Sequence, residues 1–245
     1  MPHDAGATEW LANLSVGYIV LAALILTIIR MALTPSESPF ARSIAELVES
    51  LIIAGVLVFL IIRPFFVQAF YIPSESMEPT LMGHPAGLSR TGQIYPSEIH
   101  DHIFVNKMIF RVQEPKRGDI IVFRAEKKAD KENTPPLENV LIKRLIGIPG
   151  DTIWVKPDDN GVVRVFRNGK PLDEPYINGP IEQQRPDAEY AVREPLKLQP
   201  GQLFVMGDNR NNSNDGRFWG SFPRDRVIGK AMFIFWPLNR IRILH

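Results

Sequence analysis

The chain has 245 residues, enough for one soluble domain of ordinary size plus membrane segments. Lys and Arg number 28 against 27 Asp and Glu, a formal charge of +1, which gives no reason to expect a nucleic-acid partner. There are no cysteines, so disulfides, thiolate metal sites and a cysteine nucleophile are excluded together.

Residues 11–29, LANLSVGYIVLAALILTII, form a charge-free run ending at Arg30. As a helix rising about 1.5 Å per residue the run covers roughly 28 Å, close to the ~30 Å hydrocarbon core of a bilayer. A secretory signal peptide is the competing reading, but it needs a positive start. Here Asp4 and Glu9 precede the run, with no Lys or Arg before Arg30. A retained transmembrane helix over about 11–30 is therefore expected.

The second apolar run, SLIIAGVLVFLII (50–62), is shorter, about 20 Å as a helix, and alone it also fits a buried core helix. Counting from Leu47 to Phe66 gives a full span, with Glu49 and Arg63 near the two interfaces. RPFFVQAFY then supplies the aromatic, proline-bearing material expected at a membrane surface. The expectation is an anchor over 1–66 with transmembrane helices at about 11–30 and 47–66. Arg30 and Arg42 flank or lie in the short connection, whereas the N-terminal tail has neither Lys nor Arg. The positive-inside rule places the connection in the cytoplasm and everything after Phe66 outside.

Beyond residue 80 the pattern turns to β. DHIFVNKMIF (101–110), GDIIVFR (118–124), NVLIKRLIGI (139–148) and DTIWVK (151–156) are short, rich in Val, Ile and Phe, and bounded by Gly, Pro and Asp. VVRVFRNGK (162–170) carries Asn168-Gly169, a strong hairpin signal, and GQLFVMGD (201–208) and VIGKAMFIFW (227–236) complete the series. The polar stretches 125–139 and 178–195 read as solvated loops. The fold class expected is mostly β: an all-β domain over 67–245 tethered to a bilayer by two N-terminal helices.

YIPSESMEPT (71–80) holds Ser74 and Ser76 one residue apart, with Pro73 before the pair and Pro79 after it. The segment is either an ordinary turn or the site of a nucleophile, and a serine hydroxyl becomes a good nucleophile only when a base takes its proton. None of the five histidines is an obvious base. His3 and His245 lie at the termini, His84 sits in a Gly/Pro-rich loop, and His100 and His102 flank Asp101 without a third metal ligand at a recognisable spacing. These histidines are expected at the surface or in loops, and no metal site is expected. The remaining candidate is Lys143 in VLIKRLIGIPGD, a lysine inside an apolar strand. Strand alternation could simply point it outward; burial would instead disfavour its ammonium form and lower its pKa.

Four segments in order change the balance: IPSESMEPTL (72–81), KRGDIIVF (116–123), IKRLIGIPGD (142–151) and GDNRNNSNDGR (207–217). Together they resemble the bacterial type I signal peptidases, membrane-bound serine proteases that remove signal peptides from exported proteins. The resemblance runs from about Leu47 to the C-terminal region. It implies Ser76 as nucleophile, Lys143 as general base, and Ser74 with the Ser76 backbone N–H as oxyanion hole. It further implies that Ser213 orients the lysine and that Asp215 and Arg217 pair to brace their loop. Ile72, Pro73, Leu81 and Ile142 would line pockets for the small residues of Ala-x-Ala-like cleavage sites. No cofactor or metal is implied, and the partners are preproteins carrying signal peptides and the lipid bilayer. The implied location is the bacterial plasma membrane, multi-pass, with the catalytic domain on the extracytoplasmic side. Nothing in the sequence fixes an oligomeric state.

Two positions depart from the resemblance: Asn211 stands where many relatives have Asp, and Gly216 where many have Ser. The stretch 82–100 is longer than in compact relatives. Two rival functions have less support. A repressor-type Ser–Lys autoprotease carries a helical DNA-binding domain, and no helix-turn-helix pattern is present. A non-catalytic membrane-tethered β scaffold predicts erosion at the dyad, yet Ser76, Lys143, Ser74 and Ser213 are all in place.

Overall fold

The computed structural model describes residues 16–35, 38–62, 66–89, 92–125, 140–181 and 194–244. The chain divides into two compact units, Met1–Ala69 and Phe70–His245.

In the first unit, helix α1 spans Val16–Leu33 and helix α2 spans Pro39–Val56, continuing as wider π-helical turns over Leu57–Ile62. Proline in the first turn of α2 suits a position whose N–H has no helical acceptor. Pro39–Leu60 forms 22 residues long and apolar enough to cross a membrane, and Gly17–Leu33 is a shorter apolar helix. Leu24, Ile28, Leu51 and Ile53 are all exposed on these helices. Arg30 Nη2 lies 2.8 Å from Glu49 Oε2, an ion pair joining α1 to α2. The helix that holds the start of the expected span at Leu47 begins eight residues earlier, at Pro39. Residues 11–15 of the first apolar run, and Arg63 to 65 after the second, lie outside the described residues.

The second unit is mostly β, and β1 (Val67–Tyr71) bridges the division. The short strands β2 (Gly83–His84), β3 (Gly87–Leu88), β4 (Ile94–Tyr95) and β5 (Ile99–His100) fall in the long stretch after Leu81. Then come β6 (His102–Asn106), β7 (Ile120–Arg124), β8 (Val140–Gly147), β9 (Thr152–Pro157), β10 (Val163–Arg167) and β11 (Lys170–Pro171). The series ends with β12 (Leu196–Lys197), β13 (Gln202–Met206), β14 (Phe222–Pro223), β15 (Val227–Trp236) and β16 (Arg242–Ile243).

The main sheet has eight strands in the order β1-β6-β15-β7-β8-β13-β14, with β16 paired on β15. Its pairs from β6–β15 to β13–β14 are antiparallel. Register shifts interrupt β13 and β15, and bulges of this kind bend and twist a sheet. A second, four-stranded sheet has the order β11-β10-β9-β12: β9, β10 and β11 follow one another as hairpins, and β12 returns to the free edge of β9. Its tightest turn is Asn168-Gly169, both with positive φ, as the Asn-Gly signal predicts.

Strand β7 is buried on both faces, and period-two alternation explains how. Ile120 and Val122 enter one core cluster with Ile72, Met77 and Leu81, while Ile121 and Phe123 enter another with Leu145 and Val205. On the neighbouring β8, Ile121 pairs with Lys143 and Ile120 with Arg144. Two charged residues therefore sit at fully internal positions of the sheet, and each needs a partner there. Of the polar stretches, 126–139 and 182–193 lie outside the described residues. Within the second, Ile181 is buried and bridges to Val163.

Candidate active site

Ser74 is extended, and residues Glu75–Met77 then make a single 3₁₀ turn that carries Ser76. Met77 and Leu81 are fully buried and anchor the turn to the core. From the other side, Asn209 donates its backbone N–H to Ser76 O at 3.2 Å and its amide to Glu75 O at 3.1 Å. Asn212 donates to Glu75 Oε2 at 2.7 Å, so the Asn-rich loop after β13 clasps the serine turn.

Strand β8 brings Lys143 to this turn across 67 residues of sequence: its Nζ lies 2.7 Å from Ser76 Oγ and 2.9 Å from Ile142 O. Lys143 is only 3% exposed. Burial pushes its pKa down from 10.5 to about 8; Asp215 and Asp208 oppose the shift and Arg217 adds to it. A neutral amine is thus accessible near neutral pH beside a serine hydroxyl, the requirement for proton abstraction. Ser74 Oγ is 3.3 Å from Ser76 Oγ.

Around the pair lie three buried ion pairs. Arg144 meets Asp208 through two bonds of 2.8 and 2.7 Å, and Thr80 donates to the same carboxylate at 2.5 Å. Arg217 meets Asp215 at 2.9 and 3.0 Å. Arg210 meets Glu174 at 2.7 and 2.6 Å. Asp215 also accepts from the Gly207 and Arg217 N–H groups. Burial works against its carboxylate, but Arg217 and these donors prevail and hold its pKa below the usual value.

The structure brings Ser74, Ser76, Lys143, Asp215 and Arg217 into one region, and Ser213 is buried in the same loop. Ser213 is 4% exposed, and its side chain helps to hold the neighbouring Asp215 carboxylate below its usual pKa. Ile72 and Leu81 are core residues, Ile142 packs against them, and Pro73 is exposed. Gly216 fits its departure: a Cβ there would meet Val205 O at 2.8 Å and Phe204 Cε2 at 2.9 Å. Asn211 donates to Pro180 O at 3.1 Å.

Asp208, Glu174 and Tyr176 were not singled out by sequence. Tyr176 lies under the Arg144 guanidinium at 4.0 Å. The clue was Arg144, a charge inside an apolar strand that demands a buried carboxylate, whereas Arg210 in the Asn-rich loop carries no such signal. His84 corrects the surface half of its expectation: it lies in the Gly/Pro-rich stretch but is buried, at 2% exposure. Glu78, also buried, supplies its polar partner.

An extensively β unit carrying a serine hydroxyl against a buried lysine amine defines a restricted class of protein. Residues 44–236 match the family described as signal peptidase, peptidase S26. The chain is 39% identical over 206 residues to a signal peptidase I of Leptolyngbya laminosa, covering 84% of each chain. It is 36% identical over 217 residues to a probable signal peptidase I-2 of a Synechocystis strain, covering 89% of this chain and 84% of that one. It is 36% identical over 211 residues to a signal peptidase I of Bacillus licheniformis, covering 82% and 93% respectively. The chain belongs to the signal peptidase family, peptidase S26, and is a hydrolase of that serine endopeptidase family.

Proposed function

We propose that the protein cleaves signal peptides from exported preproteins at Ala-x-Ala-like sites by a Ser76–Lys143 dyad. The observation that carries this reading is the 2.7 Å contact between Lys143 Nζ and Ser76 Oγ, with the amine buried and its pKa near 8. The neutral Lys143 amine takes the Ser76 proton as Oγ attacks the scissile carbonyl. The oxyanion is held by the Ser74 hydroxyl and the Ser76 N–H. The Lys143 ammonium then gives its proton to the departing amine as the C–N bond breaks, leaving an acyl-enzyme. Water gives a proton to Lys143 as its oxygen attacks the ester; the acyl–Oγ bond then breaks, the Lys143 ammonium returns the proton to Ser76 Oγ, and the acid product leaves.

Ser213 and the Asp215–Arg217 pair serve as supports that fix the position of Lys143. The substrate lies extended beside a strand edge, with alternate side chains entering pockets edged by Pro73 and Ile142 and backed by the buried Ile72 and Leu81. The 1–66 segment acts as the membrane anchor, with two spans, and 67–245 as the extracytoplasmic catalytic domain at a bacterial plasma membrane. The long apolar helix Pro39–Leu60 supports that assignment. A preprotein cleavage assay with the purified chain in detergent tests the reading. Cleavage at the signal-peptide junction that vanishes with Ser76→Ala is expected; no cleavage, or cleavage independent of Ser76, overturns it.

A further inference from the structure

The long stretch after Leu81 folds back on the serine turn. Met82 and Asp101 close its base through paired bonds: Met82 N–H donates to Asp101 Oδ2 at 2.8 Å, and Asp101 N–H to Met82 O at 2.9 Å. Arg240 fixes the same carboxylate at 2.6 and 2.8 Å. Inside the loop, His84 and Tyr95 stack with ring centroids 3.5 Å apart, and both reach Glu78. Glu78 Oε1 accepts from the His84 ring Nδ1 at 2.6 Å and from Gly83 N–H at 3.2 Å, while Oε2 accepts from Tyr95 OH at 2.7 Å. Glu78, His84 and Tyr95 are all buried. Burial, reinforced by Glu78, raises the Tyr95 pKa, so its hydroxyl remains a donor.

The two ends of the serine turn are thereby gripped from one loop. Downstream, Glu78 follows Ser76 by two residues and is held by three donors. Upstream, Gly83 packs directly on Ser74: a Cβ there would meet Ser74 O at 2.5 Å and Ser74 N at 2.7 Å. Gly83 belongs to both contacts, since its N–H bonds Glu78 while the Ser74 backbone occupies the space a Cβ on Gly83 would need.

We propose that Glu78, His84 and Tyr95 are positioning residues that set the Ser74 hydroxyl relative to Ser76 through Gly83. The inference rests on the dyad reading above and extends it. Among the described residues the cluster forms no hydrogen bond with the Lys143 or Ser76 side chain, so its effect on turnover passes through the backbone of the turn. Displacing a donor by a fraction of an ångström weakens the transition state while leaving substrate binding elsewhere intact.

The test is a double-mutant cycle between Glu78→Ala and Ser74→Ala, read as kcat and KM on a signal-peptide-bearing substrate. Glu78→Ala is expected to lower kcat by about 10- to 100-fold with KM changed less than about twofold. On the Ser74→Ala background the same change is expected to cost less than about threefold. Glu78→Gln, whose amide still accepts from Gly83 and His84 and can donate to Tyr95, is expected to stay within about threefold of wild type. Should Glu78→Ala fail to fold, Tyr95→Phe removes one oxygen only and runs the same cycle. Losses that simply add to that of Ser74→Ala, a loss confined to KM, or equal damage from Glu78→Gln would overturn the inference. Absence of Ser76-dependent cleavage by the wild type would instead overturn the dyad reading beneath it.

Discussion

Arg144 and Asp208 meet face to face beneath the serine turn, with both guanidinium–carboxylate bonds under 3 Å: Nε–Oδ1 at 2.8 Å and Nη2–Oδ2 at 2.7 Å. Arg144 adds a bond to Gly118 O at 2.9 Å, and the pair is almost entirely out of water. A charge left alone there costs more than the pair itself contributes.

Asp208→Ala is accordingly expected to lower folding stability by about 3–5 kcal/mol in a denaturation series. Asp208→Asn keeps the shape and removes the charge. Because Asp208 raises the Lys143 pKa, its neutral variant should shift the rise of activity to lower pH. An unchanged or upward shift would contradict the field assigned to Asp208.

The two serines separate by magnitude. Ser76→Ala should reduce turnover to near background, because it removes the covalent step. Ser74→Ala should keep weak activity, since one lost oxyanion donor costs about 10²–10³ in rate. Kinetics on both variants decide, and the reverse ranking would exchange their roles.

Lys143 should carry a cost in stability. Its folded pKa of about 8 lies below the ordinary 10.5, so the unfolded chain binds the proton more tightly. The penalty is fully present below about pH 8 and is relieved as pH rises towards 10.5. The shift corresponds to about 3 kcal/mol. Lys143→Met is expected to be inactive yet more stable at pH 7, with its advantage fading by about pH 10. Denaturation midpoints of both proteins across that range check the sign.

Much of the second unit was legible because Val, Ile and Phe recur in short runs with Gly, Pro and Asp between them. Strands β6, β7, β8, β10, β13 and β15 fall inside the expected segments, and β9 overruns its segment by one residue, Pro157. Helix α2 begins ahead of the apolar run that signals it, since Arg42 and Glu46 break the hydropathy of residues that nonetheless continue the helix. At the site, Ser76 and Lys143 stood out by resemblance, and their contact needed the β7–β8 register to become visible. Asp208 was hidden because an Asp-Asn pair after a strand reads as a turn. The Glu78–His84–Tyr95 cluster was hidden for another reason. Its members are separated by Gly, Pro and Ser, a composition that signals a solvated loop, and only mutual hydrogen bonding lets them be buried.

Topology follows from the basic residues. Residues 31–46, flanked by Arg30 and containing Arg42, are expected inside, and the N-terminus and the β unit outside. Protease added to spheroplasts should digest the β unit; protection of that unit from the added protease would reverse the orientation.

The pH–rate profile of the wild type beside Lys143→Arg tests the dyad most directly. Arginine keeps the positive charge but does not deprotonate at usable pH, so it cannot take the Ser76 proton. The wild type should gain activity with rising pH through an apparent pKa near 8, where half of Lys143 is neutral, and Lys143→Arg should be as inactive as Lys143→Ala. Substantial cleavage by the arginine variant, or a wild-type profile flat from pH 6 to 10 (about two units either side of that midpoint), would contradict the Ser76–Lys143 mechanism.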